Sequence, residues 1–218
     1  MNPFAPAQPG PPSPLELEAS SSALDEETAR AEIYGLLARL YYAAPPAELL
    51  ASLRVAVTEA PSAGAFLEES WGALVGAARH LDDQAIAAEY EALFGGVGKP
   101  EVYLYASHYL SGFLNDKPVA RLRTELAGLG LTRDASMPET EDHLAYLCEV
   151  MRYLIAGDDA GVANLTRQSA FFAGQLQPWV PALCAAILAH PKARFHAALA
   201  DFTQAFFNVE AQGFDMLA

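Results

Sequence analysis

Three groups of residues in this chain have the types and spacing that chemistry needs. Gly95-Gly96-Val97-Gly98-Lys99 puts glycines before a lysine, as a phosphate-cradling loop does. Glu139, Asp142 and His143 set two carboxylates and an imidazole within one helical turn, with Glu139 and His143 on one face at i, i+4. Tyr103, Tyr105 and Tyr109 crowd aromatic rings just after the glycines, either as a binding surface for a peptide or, the commoner case for a loop between helices, as rings that plug the core. Phosphate binding, acid–base or metal chemistry, and aromatic recognition are the three readings to weigh.

The first fails in detail. A phosphate loop requires Gly-x-x-x-x-Gly-Lys-Ser/Thr after a strand. Here Leu93 stands where the first glycine belongs, Pro100 replaces the hydroxyl residue, and a helix precedes. A zinc protease needs two histidines at helical spacing, and His80, His108, His190 and His196 give His143 no such partner. No Gly-x-Ser-x-Gly elbow occurs, and neither Cys148 nor Cys184 has the setting of a nucleophile. Nothing indicates catalysis, and no resident metal or cofactor is expected. For Glu139, Asp142 and His143 a helix-start role competes evenly with a binding role, since Ser136-Met137-Pro138-Glu139 has the Ser-x-x-Glu form of a capping box.

The elements that must position these residues are helices. Asp25 can cap the first, in which Ile33, Leu36, Leu37, Leu40 and Tyr41 make one apolar stripe before Pro45-Pro46. Further helices are expected over 46–57 and 63–80. A fourth is capped by Asp82 and carries Ile86, Tyr90, Leu93 and Phe94. After the glycine loop, helices are expected at 105–114 and at 117–129, with Pro118 in the latter's first turn. Leu144, Leu147, Cys148, Met151, Leu154 and Ile155 hold helical spacing up to Gly157. Helices over 160–176, from Pro178-Trp179 to Ala189, and over 193–210 complete the chain. No strand alternation is found. The expected fold is all-α, a single bundle of about ten helices with a hinge near 115–137, where Gly128, Gly130 and a polar loop fall.

Composition narrows the partners. The 218 residues are 52% hydrophobic with a formal net charge of −14. That charge argues against general nucleic-acid binding and against an anionic membrane surface, and favours a basic peptide or protein. The two cysteines show no CxxC spacing and read as buried thiols in a reducing compartment. Residues 1–22 hold six prolines and no basic residue, so they read as a disordered tail on a cytoplasmic protein rather than as a signal peptide, with the folded domain at 23–218. No run of about 18 apolar residues is present, so no stable membrane insertion is expected.

Taken together, the motif segments resemble the TorD/DmsD family of redox-enzyme maturation chaperones. The likeness is carried by Tyr90, Leu93-Phe94, the loop 95–100 and Tyr105-Ala106-Ser107-His108-Tyr109. Pro138-Glu139-Thr140-Glu141-Asp142-His143-Leu144 continues it, and Phe171-Phe172 followed by Leu176-Gln177-Pro178-Trp179 is a weaker third. It runs from about residue 25 to 212 in order. Val97 and Leu104 depart from the family's frequent prolines. The resemblance implies an all-helical, non-catalytic protein. It implies as partners a molybdoenzyme catalytic-subunit precursor and its twin-arginine signal peptide, held for molybdopterin insertion before export. It also implies a monomer or a domain-swapped dimer, and leaves open trimethylamine-oxide, dimethyl-sulfoxide and formate-oxidising enzymes as clients. The peptide site carries over to Tyr90, Leu93, Phe94, Tyr105, Ser107, Tyr109, Asp142 and His143. Glu139 joins Asp142 as a carboxylate suited to an arginine, and the aromatic residues suit an apolar segment. The competing reading is a helical nucleotide-binding enzyme, a weak GTP hydrolase using the 95–99 loop with Asp142 and His143.

Overall fold

The computed structural model describes residues 14–58, 66–95, 99–134 and 136–216, with backbone alone for 14–25. Ten α-helices follow one another among the described residues. They are α1 (Pro14–Tyr42), α2 (Ala47–Val55), α3 (Glu68–His80), α4 (Asp83–Leu93), α5 (Ala106–Ser111), α6 (Lys117–Gly128), α7 (Leu144–Ala156), α8 (Leu165–Phe171), α9 (Val180–Leu188) and α10 (Phe195–Asp215). A π-helical turn, Phe172–Leu176, joins α8 to the approach of α9. No strand forms among the described residues; the one isolated bridge pairs Tyr105 with His143, antiparallel. The all-α bundle expected from periodicity is the observed architecture.

Apolar spacing decides which faces are buried. In α7 the whole stripe Leu144, Leu147, Cys148, Met151, Leu154 and Ile155 is buried, and α1 lies along it. Helix α10 packs on α9 and α3, α2 on α3, and the short α5 on α6. The largest fully buried side chains are Trp179, Tyr34, Tyr41, Phe171, Phe172, Phe195, Phe202 and Phe206. Each large apolar side chain removed from water contributes about 1.5–3 kcal/mol, so this core is the main stabilising term. Cys148 and Cys184 are free and buried within it, and burial pushes the Cys184 thiol up to about 12. No single helix among the described residues is long and apolar enough to cross a membrane.

One polar network crosses the core. The Arg30 guanidinium donates Nε to Glu210 Oε1 at 2.7 Å and Nη2 to Oε2 at 2.9 Å. Its Nη1 reaches Gln168 Oε1 at 3.2 Å, and the Tyr34 hydroxyl donates to Glu210 Oε2 at 3.0 Å. Gln168 Nε2 in turn donates to the Leu154 carbonyl. The bidentate ion pair thereby ties α1 to α10, and Gln168 carries the network on to α8 and α7.

Three local expectations, the helix starts at Asp25 and at Ser136 and the extent of the 160–176 helix, are corrected. Helix α1 runs through Asp25 from Pro14, so no helix starts at Asp25. Residues 14–22 of the expected tail belong to this helix, and residues 1–13 lie outside the described residues. No helix starts at Ser136 either. Its backbone N–H and its hydroxyl both go to Asp134 Oδ1, at 2.8 and 2.7 Å, which closes a turn instead of a capping box. The helix begins at Leu144 with His143 as its N-cap, Nδ1 accepting from Ala145 N at 3.2 Å. The 160–176 helix starts only at Leu165, because Asn164 Oδ1 takes the Arg167 N–H at 3.1 Å, and it widens into the π-turn at Phe172. Elsewhere the expected helices are found with shifted ends: the 105–114 helix stops at Ser111, the 193–210 helix runs on to Asp215, and the 63–80 helix starts at Glu68, its residues 63–65 lying outside the described residues. Asp82 caps α4 through Ala85 N at 2.7 Å, as its position predicts.

Candidate peptide-binding site

Helix α5 has six residues, and its N-cap, Tyr105, makes no side-chain cap bond. Its first amide groups need acceptors from elsewhere in the chain. The loop before α7 supplies them. Ala106 N donates to the Asp142 carbonyl at 3.0 Å, and Leu144 N donates to the Leu104 carbonyl at 2.9 Å. Asp142 Oδ2 accepts from Ser107 N at 2.8 Å, while Oδ1 accepts from the Thr140 hydroxyl at 2.6 Å. A carboxylate at a helix N-terminus is also favoured by the helix dipole. Two segments 35 residues apart are thus joined into one junction. Ser107 extends the clip, its Oγ accepting from Asn115 N at 3.2 Å.

Aromatic rings gather at this junction. His143 is met edge-on by Tyr105, with centroids 5.0 Å apart, and by Tyr42 at 6.3 Å. Tyr146 lies 5.9 Å from both His143 and Tyr42. The Tyr105 hydroxyl donates to Glu139 Oε2. Burial first, and then the Glu139 carboxylate, push the Tyr105 phenol well up. Burial, again with Glu139 second, raises the Tyr90 phenol, which places α4's tyrosine within the field of the same carboxylate. Burial lowers His143 to about 4, against the opposing pull of Glu139 and Asp142, so the imidazole is neutral at pH 7.

The expected site residues divide by accessibility. Tyr105 and Glu139 are partly exposed and face one another. Ser107, Asp142 and His143 come to the same place but are buried, with Asp142 only 1% exposed, so they shape the junction from beneath. Tyr90 is buried and donates its hydroxyl to the Tyr41 carbonyl at 3.1 Å, with its ring edge-on to Phe94 at 5.1 Å. Leu93 is a core residue whose carbonyl accepts from Val102 N at 2.9 Å, closing the glycine loop at its base. Residues 96–98 of that loop lie outside the described residues. Tyr109 is engaged elsewhere, stacked on Trp179 at 5.6 Å and bonded to the Tyr103 carbonyl.

Several neighbours of the junction are not marked by any sequence motif. Tyr42 and Tyr146 lie in no motif, although Tyr146 stands at i+3 from His143 on α7. Arg133 fastens the loop, its Nη1 donating to the carbonyls of Met137 and Glu139. Beneath Phe94, Glu89 caps α10 by accepting from Arg194 N, Phe195 N and His196 N, and it pairs with His196 Nδ1 at 2.8 Å. The His196 ring lies 5.2 Å from Phe94 and 5.8 Å from Tyr90. Burial works against the Glu89 charge, but these hydrogen bonds outweigh it and hold the carboxyl below its usual range.

Asp142→Asn should cost stability. An amide can still accept from Ser107 N and donate to the Thr140 hydroxyl, but it carries no charge, so both bonds lose their charge-assisted strength. The expected loss is about 1–3 kcal/mol, the range for hydrogen bonds to charged groups, read by urea denaturation. A loss below about 0.5 kcal/mol, under the net worth of an ordinary hydrogen bond, would show that the clip does not hold the junction.

The arrangement suits recognition better than turnover. Neither Asp142, with both oxygens engaged, nor the buried neutral His143 is presented as an acid or base, so the GTP-hydrolase reading gains no support. The sequence profile of the family described as nitrate reductase delta subunit matches residues 61–185. The chaperone protein TorD of Vibrio parahaemolyticus is 26% identical over 158 residues, covering 66% of this chain and 74% of the relative. The chaperone protein TorD of Vibrio cholerae is 28% identical over 204 residues, covering 86% and 93%. The matched relatives are chaperones, in keeping with a non-catalytic protein. With a profile spanning more than half its length, this chain belongs to the nitrate reductase delta subunit family, among the TorD/DmsD chaperones.

Proposed function

We propose that this protein is a cytoplasmic chaperone for the precursor of a molybdopterin-containing oxidoreductase. It binds the precursor, with its twin-arginine signal peptide where one is present, and holds it for cofactor insertion before export. The observation that carries this reading is the Tyr105–His143 bridge, which joins the two motif segments into one junction of aromatic rings around the Glu139 carboxylate. An arginine side chain finds there both a carboxylate and aromatic faces. Exposed ion pairs contribute only about 0–1 kcal/mol, so buried ring contacts supply most of the affinity and charge sets register. The chain's net charge of −14 favours encounter with a cationic leader.

The test is made in cells that co-express this chain with a candidate client, a molybdopterin-containing oxidoreductase that carries a twin-arginine leader. Deleting the chaperone should lower the molybdopterin content of the purified precursor several-fold, and the wild-type gene should restore it. Equal cofactor content with and without the chaperone would contradict the proposal.

A further inference from the structure

A cleft of about 290 Å³ lies between α6 and α7, walled by Leu126, Leu131, Met137, Tyr146, Val150 and Tyr153. Its α6 wall is built by the helix end. Gly130, at φ +73°, lets Leu131 N return to the Leu126 carbonyl at 2.9 Å, and this turn sets Leu126 and Leu131 side by side. Its lip is the loop over 136–141, held by Arg133, which donates to the Met137 and Glu139 carbonyls. That loop therefore separates two spaces, with Met137 and Glu141 on the cleft and Glu139 at the Tyr105 junction.

Helix α7 connects the same two spaces. His143, Tyr146, Val150 and Tyr153 recur at i, i+3, i+7 and i+10, one stripe of the helix. The first two border the junction and the last three line the cleft. The Tyr146 hydroxyl, where junction and cleft meet, is buried and completes no hydrogen bond, although the Tyr42 phenol approaches it. A buried hydroxyl left unpaired is costly, and a ligand carbonyl passing over it would satisfy it. The cleft volume is near the lower bound of about 300 Å³ for ligand pockets, which gives room for side chains rather than for a folded partner.

We propose that this cleft receives an apolar segment of the client chain whose cationic residues meet the junction, with the Tyr146 hydroxyl donating to a client carbonyl between them. The proposal rests on the reading of the junction as a client-binding site. It assigns the apolar part of the client to α6 and α7 rather than to the Tyr90, Phe94 and Tyr109 rings, which are turned to Tyr41, His196 and Trp179. The stripe from 143 to 153 is about 15 Å long, which fits about ten helical residues or four to five extended ones.

The test uses two synthetic peptides, each beginning with paired arginines. One continues with ten mostly leucine residues and the other with ten serine and glycine residues. In calorimetric titration, Val150→Trp, which fills the cleft, should weaken the leucine peptide at least tenfold and leave the serine–glycine peptide unchanged. Glu139→Gln should weaken both. A benzophenone placed in the leucine segment should crosslink wild-type protein within 126–153, with Met137 and Val150 as main sites, so the assignment is readable even if Val150→Trp does not fold. Crosslinks at Tyr90 or Phe94, or full affinity of the leucine peptide for folded Val150→Trp, would overturn the cleft assignment and leave the junction reading standing. Failure of both peptides to bind wild-type protein would overturn the two together.

Discussion

Glu210→Ala should cost about 3–5 kcal/mol, the range for breaking one partner out of a buried ion pair. Glu210 is 4% exposed and accepts from Arg30 Nε, Arg30 Nη2 and the Tyr34 hydroxyl. Its removal strands a guanidinium and a phenol between α1 and α10. The Arg30→Met, Glu210→Met double variant should recover much of the loss, because an apolar pair of similar volume carries no desolvation penalty. Urea denaturation at pH 7 reads both. A loss below about 1 kcal/mol for Glu210→Ala would show that the pair is only a surface-type contact. The effect on binding should be small, because the network lies in the core and none of its members is at the Tyr105 junction.

His143 should make stability depend on pH across a defined window. Its folded value is lowered to about 4 from an ordinary 6.5, through burial. Between those values the unfolded chain binds a proton that the folded chain does not. Stability from this residue is therefore complete above about pH 6.5, falls as pH drops, and is lost by about pH 4. At about 1.4 kcal/mol per unit, the full loss is about 3 kcal/mol. His143→Gln should flatten the slope between pH 6.5 and 5. Below pH 4.5 the lowered Glu89 and Glu141 carboxyls add their own loss in the same direction. The comparison is therefore of slopes in the upper part of the window. Identical slopes for the two proteins would show that His143 titrates normally and that the junction is wet.

How much of this was legible in the sequence follows from the range of each interaction. Buried stripes are local, so the α7 positions from Leu144 to Ile155 and the Asp82 cap could be read directly. Long-range caps could not. Asp142 terminates α5 from 35 residues away, and Glu89 terminates α10 from 107. No window along the chain contains both partners. The same limit explains the failed capping box. Ser136 and Glu139 have the right spacing, but Asp134 takes the serine and Tyr105 takes the glutamate. The motif residues Ser107, Asp142 and His143 were visible as a set. Burial changes what they do, from touching a ligand to holding the surfaces that can. Tyr42 and Tyr146 were hidden because a tyrosine on an amphipathic helix gives no sign of facing a site until its neighbours are placed.

In the proposed function, the Tyr105–Glu139–His143 junction receives the client's cationic leader. The most direct measurement of this is calorimetric titration of the client's own leader peptide into wild-type protein, Tyr105→Ala and Glu139→Gln at two salt concentrations. The account predicts that each substitution weakens binding by about 1–3 kcal/mol, the scale of a recognised contact. The Glu139→Gln loss should shrink at high salt and the Tyr105→Ala loss should persist, because screening acts on charge and not on ring burial. Equal affinity for all three proteins, each shown to be folded, would contradict it.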